Sequence, residues 1–100
     1  MPKFNVSVPN PLGRDAAIEK LQFFSNKVQE QNADKVKDVE QRWEENKLHF
    51  GFKTLGMRIT GTMTVEDSAV QVEGDVPFAA AMFKGQIASA IEGQLQRLLR

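Results

Sequence analysis

The sequence predicts an α+β domain of two layers, a five-stranded antiparallel sheet with helices packed on one face. Two observations carry that reading. Five segments alternate apolar and polar residues with the period of a half-buried strand, and two longer segments repeat apolar residues at helical spacing, in the order β-α-β-β-β-β-α. Every strand except the second offers a strongly apolar face opposite a polar one. That is the pattern of a sheet wet on one side and covered by helices on the other.

The first strand is marked by Phe4, Val6 and Val8 alternating with Lys3, Asn5 and Ser7, and Pro9-Asn10-Pro11 ends it. Asn10 then suits a helix N-cap, with Pro11 at the first helical position, where a missing N–H costs nothing. Ala17, Leu21, Phe24 and Val28 share one face of a helix running to about Asn32, with an exit over Gln31-Asn32-Ala33-Asp34.

The charged segment that follows reads as a strand because Val39, Gln41 and Trp43 alternate with Asp38, Glu40, Arg42 and Glu44. A two-residue loop at Glu45-Asn46 sets Trp43 opposite Leu48, Gln41 opposite Phe50 and Val39 opposite Phe52. The same register sets Glu44 against Lys47 and Asp38 against Lys53, each pair contributing roughly a few tenths of a kcal/mol. In the second hairpin Met57, Ile59, Gly61, Met63 and Val65 form one face, with Arg58, Thr60, Thr62 and Thr64 on the other. A tight turn near Asp67-Ser68 returns Val70, Val72, Gly74 and Val76 opposite them, so that Gly61 faces Gly74. Two glycines paired across a sheet leave a gap or a site of close approach.

Phe83, Ile87, Ile91, Leu95 and Leu98 make the apolar stripe of a terminal helix expected over Phe78–Arg100, roughly 35 Å long. Arg97 and Arg100 suit the negative end of its dipole. A curved sheet holding this helix on its concave face resembles a small helix-grip fold.

One hundred residues make a single domain, 1–100, with 41% apolar residues to supply a core. The 13 basic and 13 acidic residues cancel, and neither half of the chain is polarised. Broad electrostatic binding of nucleic acid, which needs a basic face, is therefore not expected. Without cysteine there is no disulfide, zinc thiolate site or thiol catalysis. No apolar run approaches a membrane span and the N-terminus lacks an apolar leader, so a cytoplasmic protein is expected.

Residues with chemical capacity are few. His49, the single histidine, falls on the polar sheet face opposite Arg42 and reads as a solvated strand histidine, with no Ser or Asp at the spacing of a triad. Glu73 and Asp75 lie two apart on one face near Arg58, Thr60 and Thr62. With no third ligand, they read as a surface ladder in which Arg58 makes a diagonal ion pair to Asp75. Gly56-Met57-Arg58-Ile59-Thr60-Gly61 lacks the ending of a phosphate loop and reads as turn and bulge.

Ala81, Gly85, Ser89 and Gly93 place small residues along one side of the terminal helix, although each glycine weakens a helix interior by about 1 kcal/mol. Either they allow close approach of the helix to the sheet beside Gly61 and Gly74, or to a second protomer, or they open a groove between helix and sheet for an acyl chain or polymer segment. Met57, Met63 and Met82 with Phe78 and Phe83 supply adaptable apolar surface, for core or pocket.

Several of these segments resemble one known family. Asn10-Pro11-Leu12-Gly13-Arg14-Asp15-Ala16-Ala17 is similar to its N-terminal signature, and Trp43, Leu48–Phe52, Gly56–Gly61, Val65 and Val76-Pro77-Phe78 to its middle. Gln94-Leu95-Gln96-Arg97-Leu98 is similar to its tail. The family is the polyhydroxyalkanoic acid system proteins, also called polyhydroxyalkanoate granule-region proteins. It commonly carries His where this chain has Asn10, so a role tied to that imidazole does not carry over, whereas capping survives the exchange. The resemblance implies a bacterial protein of the polyhydroxyalkanoate system and implies no activity.

Three function classes follow. The first is a non-enzymatic binding or accessory protein that engages a hydrophobic acyl ligand or a polyhydroxyalkanoate granule surface. The second is a structural homodimer, assembled through a free sheet edge or the terminal helix. The third is an enzyme acting on hydroxyacyl substrates through His49 or the Glu73/Asp75 pair. The first is the expectation, with no cofactor or metal and a ligand site formed by Gly61, Gly74, Met82, Phe83, Gly85, Ser89 and Gly93.

Overall fold

The computed structural model describes residues 2–31, 37–54 and 56–100. The chain runs β1 (Lys3–Pro9), α1 (Arg14–Gln31), β2 (Lys37–Glu44), β3 (Lys47–Thr54), β4 (Met57–Val65), β5 (Ala69–Asp75), a 3₁₀ segment (Phe78–Phe83) and α2 (Lys84–Leu98). All five strands join one antiparallel sheet in the order β1-β5-β4-β3-β2. The α+β class and the element order are those the alternation and helical spacing predict. The exit expected over Asn32-Ala33-Asp34 and the side chain of Val28 lie outside the described residues.

Strand order explains the long first helix. β1 and β2 occupy opposite edges, so the chain between them must cross the sheet. Four interstrand spacings amount to roughly 19 Å, and the 18 residues of α1 span roughly 27 Å. The face it crosses is apolar. Val6, Val72, Met63 and Leu48 form one buried row across β1, β5, β4 and β3, and Val8, Val70 and Val65 form another. Ala17 and Leu21 of α1, Leu95 of α2 and Leu99 just beyond it pack into the same core, as do Phe4, Ile59, Val76 and Ala80. α2 packs against β1.

The expected registers hold in most places. Trp43 pairs with Leu48, Gln41 with Phe50, Glu44 with Lys47 and Gly61 with Gly74. The Val39–Phe52 pairing does not appear, because the register shifts between Lys37 and Glu40, where Asp38 adopts φ 52°. The Asp38–Lys53 ion pair nevertheless forms at 3.7 Å.

Three local expectations are corrected. Asn10 does not cap α1. Its buried side chain accepts a hydrogen bond from Leu12 N–H at 3.1 Å and donates to the Glu66 carbonyl at 2.8 Å. Its own N–H donates to Ser68 O at 3.0 Å. It therefore closes an Asx turn and bolts the end of β1 to the β4–β5 turn. Gly13, at φ +84°, then directs the chain into the helix, and Asp67 accepts from the Arg14 N–H at 3.3 Å.

The terminal helix is not continuous from Phe78. The chain after Pro77 winds as 3₁₀ with Ala80 fully buried, and the α-helix begins only at Lys84. Phe83 consequently leaves the stripe and stands 44% exposed. Arg58 does not reach Asp75. It crosses β3 to meet Glu40 at 3.0 Å, passing over Gly51, where a Cβ would lie 2.7 Å from its Nη2.

Candidate functional site

The described residues enclose an apolar cleft of about 340 Å³ where the two helices part over β2 and β3. Its floor is the inner face of the sheet, with Phe50 and Phe52 of β3, Leu48, Met63 and Val72 beneath, and Val39 at the edge. One wall is Leu21 and Phe24 of α1, and the other is Ile91, Leu95 and Leu98 of α2. Phe50 and Phe52 stack with centroids 6.3 Å apart and planes 18° off parallel, and both remain only partly buried. The volume is at the lower end of small-ligand pockets.

Few polar groups reach this cleft. Ser25 is spoken for by the Gln22 carbonyl, to which its hydroxyl donates at 3.1 Å, and Glu40 by Arg58. Gln41 donates through Nε2 to Ser25 O at 3.1 Å, and Gln94 accepts through Oε1 from Arg97 at 2.9 Å. Each glutamine thereby keeps half of its amide uncommitted among the described residues. Gln41 offers an acceptor, and Gln94 on the opposite wall offers a donor.

The seven residues named from sequence do not gather around this cleft. Gly61 and Gly74 do face one another, but their gap is filled from within. The Phe4 ring lies over Gly74, and a Cβ at Gly61 would meet Phe50 Cζ at 2.7 Å and Glu73 O at 2.5 Å. Gly85 and Ser89 are exposed and Gly93 is partly so. The row faces away from Ile87, Ile91 and Leu95, and a Cβ at Gly85 or Gly93 would meet nothing within 4 Å. These glycines are therefore not needed for close approach of α2 to the sheet. Met82, at 81% exposure, stands with Phe78 and Phe83 on the 3₁₀ segment as an apolar surface patch.

The cleft residues that sequence reasoning passed over are Phe24, Phe50, Phe52, Ile91 and Leu98, which read there only as core-facing positions. Their signal was present as apolar periodicity. What was missing was where α1 and α2 diverge.

On the polar face, His49 accepts from or donates to Thr62 Oγ1 through Nδ1 at 3.2 Å and lies 3.5 Å from Glu44 through Nε2. Glu73 pairs across the ladder with Thr62, and Asp75 with Thr60. No group of three His, Cys, Asp or Glu residues suited to a metal occurs among the described residues. No described helix is long and apolar enough to cross a membrane.

A family model described as "Putative polyhydroxyalkanoic acid system protein" matches residues 4–99, from the second residue of β1 to the residue after α2. The chain belongs to this family. Comparison with curated proteins and with solved structures returns no match. The match covers the elements that build the cleft, including the Gln94–Leu98 segment that forms much of one wall.

Proposed function

We propose that this member of the polyhydroxyalkanoic acid system family is a non-catalytic accessory protein that holds an acyl segment in the cleft between its helices. The observation that carries the reading is the cleft itself, an aromatic and aliphatic trough bounded by two half-committed glutamines. An acyl chain would replace water on Phe50, Phe52, Ile91 and Leu98, at about 25 cal/mol per Å² of apolar area. A hydroxyacyl group would in addition find an acceptor for its hydroxyl at Gln41 and a donor for its carbonyl at Gln94. Ser25 and Glu40, which also line the cleft, are engaged by the Gln22 carbonyl and by Arg58.

A second reading concerns the granule. Phe78, Met82 and Phe83 are exposed by 78%, 81% and 44% on one short segment. Clustered exposure of that kind marks interaction surfaces, and a hydrophobic polyester surface is the occupant the family name suggests.

One experiment separates the two. Calorimetric titration with 3-hydroxyacyl chains and co-sedimentation with polyhydroxyalkanoate granules are run on wild type, Ile91→Trp and the double variant Phe78→Ser/Met82→Ser. Ile91→Trp fills the cleft and should abolish soluble acyl binding while leaving sedimentation intact, and the double variant should do the reverse. Absence of acyl binding by folded wild type at millimolar ligand would sink the cleft reading.

A further inference from the structure

We propose that the free edge of β2 pairs antiparallel with β2 of a second copy of this chain, about a two-fold axis at Gln41. Among the described residues no strand covers that edge, since β2 ends the sheet order. Glu44 and Lys47 flank a two-residue loop and form a hydrogen-bonded pair, and the ladder then alternates along Arg42 and Glu40. The amides and carbonyls of Gln41 and Trp43, within the regular part of the strand, therefore point outward, and among the described residues no backbone bond from them to a loop or turn is found. They are the groups a further strand would take.

The side chains select the partner and the register. With Gln41 opposite the second copy's Gln41, Glu40 of each chain faces Arg42 of the other, and Val39 of each faces Trp43 of the other. Both charge pairs are opposite in sign, and both apolar pairs lie on the inner face. Arg42 is exposed and makes no ion pair among the described residues, while Glu40 has only Arg58. The indole N–H of Trp43 is buried without a partner among the described residues. Shifting the register by two residues in one direction opposes Glu40 to Glu40. A shift by one residue would set apolar side chains against polar ones across the two faces.

The features that discourage edge pairing elsewhere do not block it here. The bulge at Asp38 sits at the N-terminal end of β2 and leaves Glu40–Glu44 regular. The like-charged Asp38 and Glu44 that meet at the ends are already turned toward Lys53 and His49 within each chain. The opposite edge, β1, carries a single charge at Lys3 and ends in Pro9, so it offers no such self-complementarity. Because Val39 and Gln41 also border the cleft, pairing would join the two cleft mouths over a continuous ten-stranded sheet. The proposal itself does not depend on what the cleft binds.

Sedimentation equilibrium from micromolar to millimolar protein tests it with wild type, Arg42→Glu and Glu40→Lys. Wild type should move from the 11.2 kDa monomer toward twice that mass. Each variant alone should dissociate at least about tenfold more readily, because its homodimer sets like charges together. An equimolar mixture should recover wild-type association. One of its two cross-strand pairs is then the native Glu40–Arg42 contact, and the other is the same contact with both charges reversed. Amide hydrogen exchange on wild type gives an independent readout, with Gln41 and Trp43 gaining protection as concentration rises. A wild type that stays monomeric at millimolar concentration overturns the proposal. Arg42→Glu dimerising like wild type, or a mixture no tighter than its components, overturns it as well.

Discussion

Substituting Gly74 by alanine tests whether the inner face of the sheet is closed by its own aromatic rings. A methyl at Gly74 would fall inside the van der Waals envelope of Phe4 Cζ and Cε1, and 2.9 Å from the carbonyl oxygen of Thr60. Carbon atoms pack at about 3.5–4.0 Å, so the Phe4 ring must swing away from a site where it is 3% exposed. The carbonyl belongs to the backbone of a paired strand and cannot follow. Overpacking of this kind costs about 1–3 kcal/mol, against a strand propensity gain for alanine well under 1 kcal/mol.

For a chain of this length the midpoint of thermal unfolding should fall by roughly 5–20 °C. Denaturant unfolding followed through Trp43, the single tryptophan, gives the free energy directly. The decisive measurement is the cycle with Phe4→Leu. The shorter side chain removes the ring that the methyl strikes, so the double variant should be less destabilised than the sum of the singles by at least about 0.5 kcal/mol. Gly74→Ala within about 0.5 kcal/mol of wild type, or an additive cycle, would refute the ring-over-glycine packing. It would then return the Gly61–Gly74 pair to the list of surfaces open to a ligand.

Further outcomes follow from the same packing. Gly85→Ala and Gly93→Ala put methyl groups into open space on α2, so each should raise stability by about 0.5–1 kcal/mol and leave acyl titrations unchanged. A loss of binding in either would show that the small-residue row contacts the ligand after all. Asn10→Ala removes two part-buried hydrogen bonds, from the Leu12 N–H and to the Glu66 carbonyl, and should cost about 1–2 kcal/mol. Asn10→His should cost less, because neutral imidazole also offers one donor and one acceptor. Protonation would remove that acceptor, so the folded state lowers the imidazole pKa. The unfolded state then binds more protons below about pH 6.5, and stability of this variant should fall as the pH drops through that value, as thermal melts at two pH values would reveal.

The hairpins were legible because two independent patterns, apolar alternation and charge opposition, agree on one register. That agreement survived a poor turn sequence. Glu45 takes φ 56° in the β2–β3 loop, a position where glycine or asparagine would have announced the turn. Asn10 was misread because an asparagine before Pro11 suits both an N-cap and an Asx turn. The choice is made by Glu66, which lies 56 residues away. The break between the 3₁₀ segment and α2 was hidden for a similar reason. Three consecutive alanines favour helix of any pitch, and only the seating of Ala80 in the core fixes the tighter winding. The cleft was least legible, since no single residue encodes the angle between two helices.

That angle follows from topology more than from the residues on either helix. Two helices of about 10 Å diameter could cover a sheet roughly 19 Å wide if both ran along the strands. α2 packs against β1, but α1 must carry the chain from the β1 edge to the β2 edge and so crosses the sheet. Between them the two helices leave a wedge uncovered over β2 and β3. The chain could have filled it with large apolar residues at Gln41 and Gln94, yet both are polar amides, and Phe50 and Phe52 are left only partly buried. Fully burying a Phe side chain is worth about 1.5–3 kcal/mol relative to exposure, so an occupied wedge is favoured over an empty one. Any occupant that binds only the folded chain stabilises it by mass action, by about 2.7 kcal/mol at a hundredfold excess over its dissociation constant. On the proposed acyl-binding reading, this incomplete coverage is what would let a ligand stabilise the domain.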